Sequence, residues 1–247
     1  MDKFLYISAS GANQNLMATS VHANNLANAQ TTGFRAQLEQ ARAMPAFGEG
    51  LPTRVFNMTE NPSNRYEGGP LIPTGRDYDV AVQGDGWFSV LTPQGEEAYT
   101  RDGNFFPSTT GVLQDSAGNQ VLGVNGPIVL PTPVSGITIS SDGVISALLP
   151  GAPLNAGIEV DQLKLVNPEL NEIKRRADGL FDRVDGQIAE ADINVQVQSG
   201  MLEGSNVNPI EEMVEMISLQ RNYDMQVKMM RRADQLSLRG NQLLRMF

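Results

Sequence analysis

The stretch NNLANAQTTGF, residues 24–34, stands between a helical pattern and a region rich in glycine and proline. Upstream of it, small or apolar residues recur at alternating steps of four and three, and they are Leu5, Ala9, Ala12, Leu16, Thr19, Ala23 and Leu26. This spacing predicts a helix from about Lys3 to Ala29, roughly 40 Å long at 1.5 Å per residue. A second seam beside the first runs through Met17, Val21, Asn25 and Asn28.

The asparagines of this stretch are unusual in the seam of a helix. A buried amide in a coiled coil costs stability but fixes the register, because only one alignment pairs it. We therefore expect Asn25 and Asn28 to lie in a packed helix pair. The alternative is that they are simply poor helix formers that precede a loop. Gly33 is expected to end the helix, with Phe34 folding back onto it.

The last 39 residues predict a second long helix, because Asn208 can cap it and Pro209 suits its first position. Glu211 and Glu212 would complement the helix dipole. One apolar seam comprises Met213, Met216, Gln220, Tyr223, Val227 and Met230, and a second comprises Met229, Ala233, Leu236, Gly240, Leu243 and Phe247. Two helices with this much apolar surface cannot bury it all against each other, and their methionines favour an adaptable partner surface.

The middle of the chain predicts β-structure. All 14 prolines lie between Pro45 and Pro209, where short alternating runs are separated by turn residues. The predicted strands are Tyr78–Val82, Trp87–Leu91, Ala98–Arg101, Val112–Leu113, Val121–Leu122, Ile128–Leu130, Ile137–Ile139, Val144–Ser146, Leu163–Val166 and Leu180–Arg183, with Asp192–Val197 running back towards the last helix.

The predicted fold class is therefore α+β. Long N- and C-terminal helices form a coiled-coil stem, with an inserted all-β domain and an extended arm. The expected divisions are residues 1–34 (N-terminal helix), 35–75 (extended arm or long hairpin), 76–190 (β-rich domain), 191–208 (return strand) and 209–247 (C-terminal helix).

Composition excludes several kinds of chemistry. The chain has no cysteine and a single histidine, His22, so disulfides, thiolate metal sites and cysteine nucleophiles are ruled out. The net charge is −10, and residues 76–208 carry seven basic and eighteen acidic side chains. Nucleic acid is thus not an expected partner, because binding it needs a basic face. No apolar run approaches the roughly 20 residues of a membrane span, and the start MDKFLYISASGANQNLM lacks the features of a cleaved signal peptide.

Charged clusters in the middle offer weak functional signals. Asp77, Asp79 and Asp85 lack the oxygen spacing of a calcium loop and are expected to serve turns. Glu96, Glu97 and Asp102 could be imagined as a glycosidase pair but are expected to be solvating groups. The basic run 174–176 (KRR) is predicted to be a solvated turn or an intersubunit ion-pair site. We expect no catalytic residue, no metal site and no cofactor.

Several motifs, in chain order, resemble those of the flagellar rod and hook proteins. NLANAQTTGF (residues 25–34) is similar to the family's N-terminal signature NLANxxTxGF, although Thr31-Thr32 stands where proline often precedes the glycine. DVAVQGDGWF (79–88), YTRDGNF (99–105), VLGVNGPI (121–128) and DGLF (178–181) resemble central blocks of the family. GMLEGSNVNPIEEMVEMISLQRNYDMQVK (200–228) resembles its C-terminal signature, so the resemblance covers nearly the whole chain.

The start MDKFLYISASGA, the DMQVK segment and the NQLLRM tail resemble proximal-rod members of the family, with the distal-rod paralogue as the nearest rival. This resemblance implies a non-enzymatic subunit of the rod, the drive shaft across the bacterial periplasm. Such a subunit is exported without signal cleavage through the flagellar type III apparatus. The implied partners are other copies of the chain, other proximal and distal rod proteins and the export apparatus, with no nucleic acid and no stable membrane insertion.

Under this implication, the terminal helices pack head to tail into a tube around the export channel and transmit torque. The expected assembly-interface residues are Leu5, Ala9, Ala12, Leu16, Val21, Asn25, Leu26, Asn28, Gly33, Phe34, Met213, Met216, Ile217, Tyr223, Val227, Met230, Leu236 and Leu243. Two other classes of protein stay open at this point. One is a secreted carbohydrate-active enzyme, and the other is an adhesin-like β-domain whose coiled-coil stalk would form closed trimers.

Overall fold

The computed structural model describes residues 2–45, 55–60, 63–151, 153 and 157–244. It divides the chain into two compact units. Unit 1 comprises Met1–Ala29, Ala36–Arg65 and Val207–Phe247, and unit 2 comprises Gln30–Arg35 and Tyr66–Asn206. The α+β class is confirmed, with one helix near each end of the chain and many strands between them.

Unit 1 contains both helices and one β-hairpin. Its elements are α1 (Asp2–Ala27), β1 (Gln40–Pro45), β2 (Val55–Glu60) and α2 (Pro209–Leu244). Strands β1 and β2 pair antiparallel, with Gln40 opposite Glu60. Residues 46–54, which join the two strands, lie outside the described residues. Helices α1 and α2 contact each other and run antiparallel, because His22 meets Glu212 while Gly11 lies against Gln226.

Helix α2 begins where the sequence predicts. The side-chain oxygen Oδ1 of Asn208 accepts a hydrogen bond from the amide of Ile210 at 3.2 Å, so Asn208 caps the helix. Pro209 occupies the first helical position, and Glu211 and Glu212 lie in the first turn. The helix has 36 residues, which corresponds to about 54 Å. Over the described residues, neither helix is long and apolar enough to cross a membrane.

The end of α1 differs from the prediction. The helix stops at Ala27, and Gly33 does not cap it. At that end, the backbone amide of Asn28 donates to the carbonyl of Asn24 at 3.2 Å, and the Asn28 side-chain Nδ2 donates to the same carbonyl at 2.9 Å. The prediction that Gly33 caps the helix was therefore wrong, because the helix ends six residues before it.

The packed face of α1 also differs from the predicted heptad seams. The buried side chains are those of Ser8, Ala12, Ala18 and Asn25, whereas Leu16 and Met17 are each 50% exposed. Small residues on this face let α2 approach closely: a Cβ added at Gly11 would lie 3.0 Å from Nε2 of Gln226. The periodicity of apolar residues did not predict this face, because the residues on it are small or polar rather than hydrophobic.

Unit 2 is built from short strands. They are β3 (Leu71–Pro73), β4 (Val80–Gln83), β5 (Trp87–Leu91), β6 (Glu97–Thr100), β7 (Phe106–Pro107), β8 (Leu113–Gln114), β9 (Gln120–Gly123), β10 (Gly126–Pro127), β11 (Gly136–Ile139), β12 (Val144–Leu148), β13 (Ile158–Gln162), β14 (Leu165–Val166), β15 (Ile173–Arg175), β16 (Phe181–Arg183), β17 (Gln196–Ser199) and β18 (Met201–Glu203). Strand β5 matches its prediction residue for residue. Strands β3, β7, β10, β13, β15 and β18 were not predicted.

The strands of unit 2 form one large sheet and three small ones. The large sheet has the order β15-β16-β6-β5-β9-β8-β7, with β10 paired to β9 and β14 to β5. A three-stranded sheet, β11-β12-β13, and the pairs β17-β4 and β18-β3 complete the unit. The main core gathers the fully buried side chains of Val80, Phe88, Phe105, Val121 and Ile145. A second cluster forms around Trp87, Tyr99 and Phe181.

Candidate functional site

Asn25 joins three segments of unit 1. Its side chain is 1% exposed, and its amide group pairs with the backbone of Gln37: Nδ2 donates to the Gln37 carbonyl at 3.0 Å, and Oδ1 accepts from the Gln37 amide at 2.9 Å. Nδ2 also lies 3.2 Å from Oε1 of Glu212 on α2. Asn25 thus uses three of its four possible hydrogen bonds to hold α1, the segment before β1 and α2 together.

Glu212 is shared between two side chains of α1. Its second oxygen, Oε2, lies 2.6 Å from Nδ1 of His22, while Oε1 accepts from Asn25. His22 and Glu212 are both mostly buried, with side-chain exposures of 17% and 13%. The only histidine of the chain is therefore a contact between the two terminal helices.

Both terminal helices keep large apolar side chains exposed. On α1, Tyr6 is 75% exposed and Leu16 is 50% exposed. On α2, the exposed apolar side chains are Ile210, Met213, Val214, Ile217, Met225, Met229, Leu236 and Leu238. An apolar surface that runs along a helix pair in this way is typical of a protein–protein contact.

The predicted interface residues separate by burial into distinct groups. Ala12, Asn25, Gly33 and Phe34 are buried, and Leu5, Val21, Leu26, Asn28, Met216, Tyr223, Val227 and Met230 are half-buried. Ala9, Leu16, Met213, Ile217 and Leu236 are exposed. The side chain of Leu243 lies outside the described residues. The exposed group presents the most surface to another molecule, the half-buried group presents less, and the buried group packs within the chain.

In unit 2, the loop Gln30–Arg35 has its own anchors. The amide of Gly33 donates to the carbonyl of Glu203 at 2.8 Å, and the amide of Asn206 donates to the carbonyl of Phe34 at 3.3 Å. Gly33 has a φ of 65°, and a Cβ added there would lie 2.3 Å from the backbone carbon of Arg101. Glycine is required at this position by both backbone conformation and space.

Three buried charged side chains lie behind this loop. Glu203 accepts hydrogen bonds from Nη1 of Arg35 through Oε1, from Nη1 of Arg101 at 3.0 Å through Oε2, and from the amide of Gly69 at 2.9 Å. The guanidinium carbons of Arg35 and Arg101 lie 5.9 and 5.3 Å from the ring centroid of Trp87. Burial lowers the pKa of Arg101, and Glu203 partly opposes that shift. The cluster contains two cations and one anion, all shielded from water.

The carboxylates considered for catalysis have other partners. Glu97 binds Nζ of Lys164 at 2.7 Å, and Glu96 binds Nη1 of Arg176 at 2.8 Å. Asp102 accepts a hydrogen bond from Oγ1 of Thr32 at 2.6 Å and so contributes to holding the Gln30–Arg35 loop.

The basic run 174–176 is not the solvated turn that we predicted. Lys174 and Arg175 belong to β15, and the Arg175 guanidinium carbon lies 4.5 Å from the ring centroid of Phe34. Burial lowers the pKa of Arg175. Arg176 binds both Glu96 and Asp178. The ion pairs of this run lie within unit 2.

Sequence reasoning missed Arg35, Arg101 and Glu203. Arg35 follows the TTGF motif directly, but its partner Glu203 is 168 residues away. Nothing in the local pattern marks either residue as buried, since arginine and glutamate are almost never fully buried unless paired. The signal available was their position, because Arg35 directly follows the N-terminal motif and Glu203 lies inside the C-terminal motif.

Three family models match separate parts of the chain. Residues 5–35 match the model described as "Flagella basal body rod protein", and residues 81–147 match "Flagellar hook protein FlgE/F/G D1 domain". Residues 198–243 match "Flagellar basal body rod FlgEFG protein C-terminal". The first and last matches contain the two helices and the loop that carries Gly33 and Arg35.

Curated relatives match over the full length. The chain is 44% identical to the flagellar basal-body rod protein FlgF of Salmonella typhimurium and 42% identical to that of Escherichia coli, in each case over 100% of both chains. It is 31% identical to the flagellar basal-body rod protein FlgG of Borreliella burgdorferi, over 99% of this chain and 100% of that protein. The chain therefore belongs to the flagellar basal-body rod protein family and matches its FlgF members over its entire length.

Proposed function

We propose that the chain is a non-enzymatic structural subunit of the flagellar basal-body rod. The observation that carries the proposal is the set of exposed apolar side chains along both terminal helices, in a chain whose relatives of 42–44% identity are named rod proteins. These side chains are 39–75% exposed. Contacts with neighbouring subunits would bury them, at a gain of about 25 cal/mol for each Å² of apolar surface.

Assembly proceeds head to tail in this proposal. Each subunit offers one surface to one neighbour and a different surface to the next, which builds a helical array when the rotation does not close. The terminal helices form a coiled-coil stem at the inner layer of the tube, around the export channel, and transmit torque through many parallel contacts. The buried pairing of Asn25 with Gln37 and Glu212 supports this role, because it keeps each helix pair in one register.

The remaining parts of the chain follow from the same proposal. Residues 35–75 form an extended arm, of which the β1–β2 hairpin is one part, and the acidic β-rich region faces outward. Within this arrangement the parts of the chain are residues 1–34, 35–75, 76–190, 191–208 and 209–247. The subunit lies in the proximal rod within the periplasm, reaches it through the type III export apparatus without signal cleavage, and contacts other copies and other rod proteins. A distal-rod position is the alternative.

The test is incorporation of the chain into purified basal bodies, in a strain that lacks its own copy. Leu16→Glu places a charge on an exposed apolar position of α1, and we expect it to lower incorporation at least tenfold while the soluble protein keeps its helical circular dichroism. Asn13→Glu, at an exposed polar position of the same helix, serves as the matched control and should assemble normally. Normal assembly of the Leu16→Glu variant would overturn the proposed role of the helices.

Limited proteolysis of the dilute monomer is a second test. If neighbours are needed to cover the helices, α1 and α2 should be cut before the β-rich region. Terminal helices as resistant as the β-rich region would count against the proposal.

Two other experiments test the alternative classes of protein. Sedimentation distinguishes the adhesin-like alternative, which predicts closed trimers in solution. Alanine changes at Glu96, Glu97 and Asp102 should leave motility intact. That result would exclude the alternative in which these residues serve a carbohydrate-active enzyme.

A further inference from the structure

Helix α2 changes its charge from one half to the other. Residues 210–217 contain three glutamates and no cation, whereas residues 225–239 contain one lysine, three arginines and a single aspartate. Glu211 and Glu215 are exposed in the first region, and Lys228, Arg232 and Arg239 are exposed in the second. Across the described part of the chain, no salt bridge involves any of these five side chains. Their charges are thus available to another molecule.

The positive half of α2 borders a groove, which we call the basic groove. It has a volume of about 500 Å³ and is lined by Lys228 and Arg232 together with Met225, Met229 and Asn15 of α1. A smaller groove of about 230 Å³ continues it past Arg232 to Leu236 and Arg239. Met225 is 54% exposed and Leu236 is 58% exposed, so the groove combines cations with apolar contacts.

The negative half presents a complementary surface, which we call the acidic start (residues 210–217). Ile210, Val214 and Ile217 recur at helical spacing and are 70%, 58% and 54% exposed. Glu211 and Glu215 stand beside them, one turn apart. This surface therefore pairs exposed carboxylates with an apolar ridge, as the basic groove pairs cations with a row of apolar side chains.

We propose that the acidic start of one copy docks into the basic groove of the next copy. The inference rests on the proposed function and deepens it, since it names the two surfaces that meet in the head-to-tail contact. The acidic start cannot reach the groove of its own chain, because both lie on one helix with centres about 18 residues, or roughly 27 Å, apart. Two different surfaces that meet in this way give a head-to-tail contact, which builds an open helical array when the rotation does not close.

The chemistry of the two surfaces favours a second copy of this chain over other occupants. Opposite charges steer the two surfaces together and fix the direction of docking. The unbranched side chains of Met225 and Met229 can adapt to the branched side chains of Ile210, Val214 and Ile217. Nucleic acid would satisfy the cations but would leave the apolar side chains of the groove uncovered.

A charge exchange tests the proposal in a strain that lacks its own copy. The variants are Lys228→Glu with Arg232→Glu, Glu211→Lys with Glu215→Lys, and all four changes together. We expect each double variant to lower incorporation into basal bodies at least tenfold. The fourfold variant should return to within threefold of the unchanged chain, because its two surfaces are complementary again. Asp224→Lys, an exposed reversal on the same helix, is the control and should stay within twofold.

The outcomes separate this inference from the proposed function. Absence of the unchanged chain from basal bodies would overturn the proposed function. If the unchanged chain assembles, either full incorporation of both double variants or a fourfold variant as poor as the doubles would overturn the inference alone. The latter result is expected if a different rod protein occupies the groove.

Disulfide cross-linking gives a direct measure of proximity, and the cysteine-free chain is suited to it. Glu215→Cys combined with Arg232→Cys should give a ladder of covalently linked chains when assembled rods are mildly oxidised. Asp224→Cys in place of Glu215→Cys should give none, although it assembles equally well. An incorporated Glu215→Cys, Arg232→Cys variant that runs only as a monomer would overturn the docking proposed here.

Discussion

Replacing Glu203 by glutamine should destabilise unit 2 strongly. The change keeps the size of the side chain but removes the only negative charge that touches Arg35 and Arg101, whose side chains are 0% and 4% exposed. Removal of one partner from a buried ion pair costs about 3–5 kcal/mol, because the remaining charge stays out of water. Glutamine can still accept from the amide of Gly69. We therefore expect a loss of about 4 kcal/mol in the free energy of unfolding.

The fluorescence of Trp87 is a suitable assay. It is the only tryptophan of the chain, it is 2% exposed, and both arginines lie over its ring. For a urea m-value of about 2.5 kcal/mol/M, the unfolding midpoint should fall by about 1.6 M. Glu190→Gln removes an exposed carboxylate of the same unit and should shift the free energy by less than about 0.5 kcal/mol.

A second variant tests the charge imbalance of this cluster. Arg35→Met removes one of the two cations and leaves Arg101 and Glu203 as a balanced pair. Because Nε and Nη2 of Arg35 have no hydrogen-bond partner among the described residues, little is lost with them. We expect a cost of about 1–2 kcal/mol, mainly from one charged hydrogen bond. The reasoning fails if Glu203→Gln costs less than about 1 kcal/mol, or if Arg35→Met costs more than Glu203→Gln.

Three further predictions concern other contacts. Asn25→Ala leaves the backbone groups of a buried segment unpaired and should cost unit 1 about 2–3 kcal/mol, measured by thermal loss of helical circular dichroism, whereas Asn13→Ala at an exposed position should cost under about 0.5 kcal/mol. Gly33→Ala and Gly75→Ala strain similar backbone angles, with φ of 65° and 69°, but only Gly33 lacks space for a Cβ. Gly75→Ala should therefore cost about 1 kcal/mol and Gly33→Ala clearly more, and equal midpoints in urea would contradict this reasoning. Arg176→Ala breaks two exposed ion pairs and should change the free energy of unfolding by less than about 1 kcal/mol at any ionic strength. A larger loss in urea titrations would show that these pairs stabilise the protein more than surface ion pairs usually do.

Local signals predicted the parts of the fold that local chemistry determines. The predicted start of α2 was correct because its capping residue and its first proline both act on the backbone within one turn of the helix. The prediction of strand β5 was correct because turn residues on both sides fix where the strand begins and ends. The predicted cap of α1 was wrong because Gly33 lies six residues beyond the helix end, where its amide donates to the carbonyl of Glu203.

Long-range partners account for the other differences. Gly33 is needed where its loop passes the backbone of Arg101, a contact that no pattern within the loop can reveal. The packed face of α1 includes Ser8 and Asn25, which an apolar periodicity does not register. The sequence predicts an interface along a pair of helices, but its exposed residues could be separated from the buried ones only with coordinates.

The distance along the chain between Asn25 and Glu212 has a consequence during synthesis. The two residues are 187 positions apart, so at about 5–20 residues per second the ribosome needs about 10–40 s to supply the partner of α1 after that helix has been made. Throughout this interval the three-way junction around Asn25 is incomplete, and the first helix lacks the tertiary packing against α2 from which most helical stability comes. Its early residues are thus open to a chaperone or a carrier at the time when the rest of the polypeptide is still being translated.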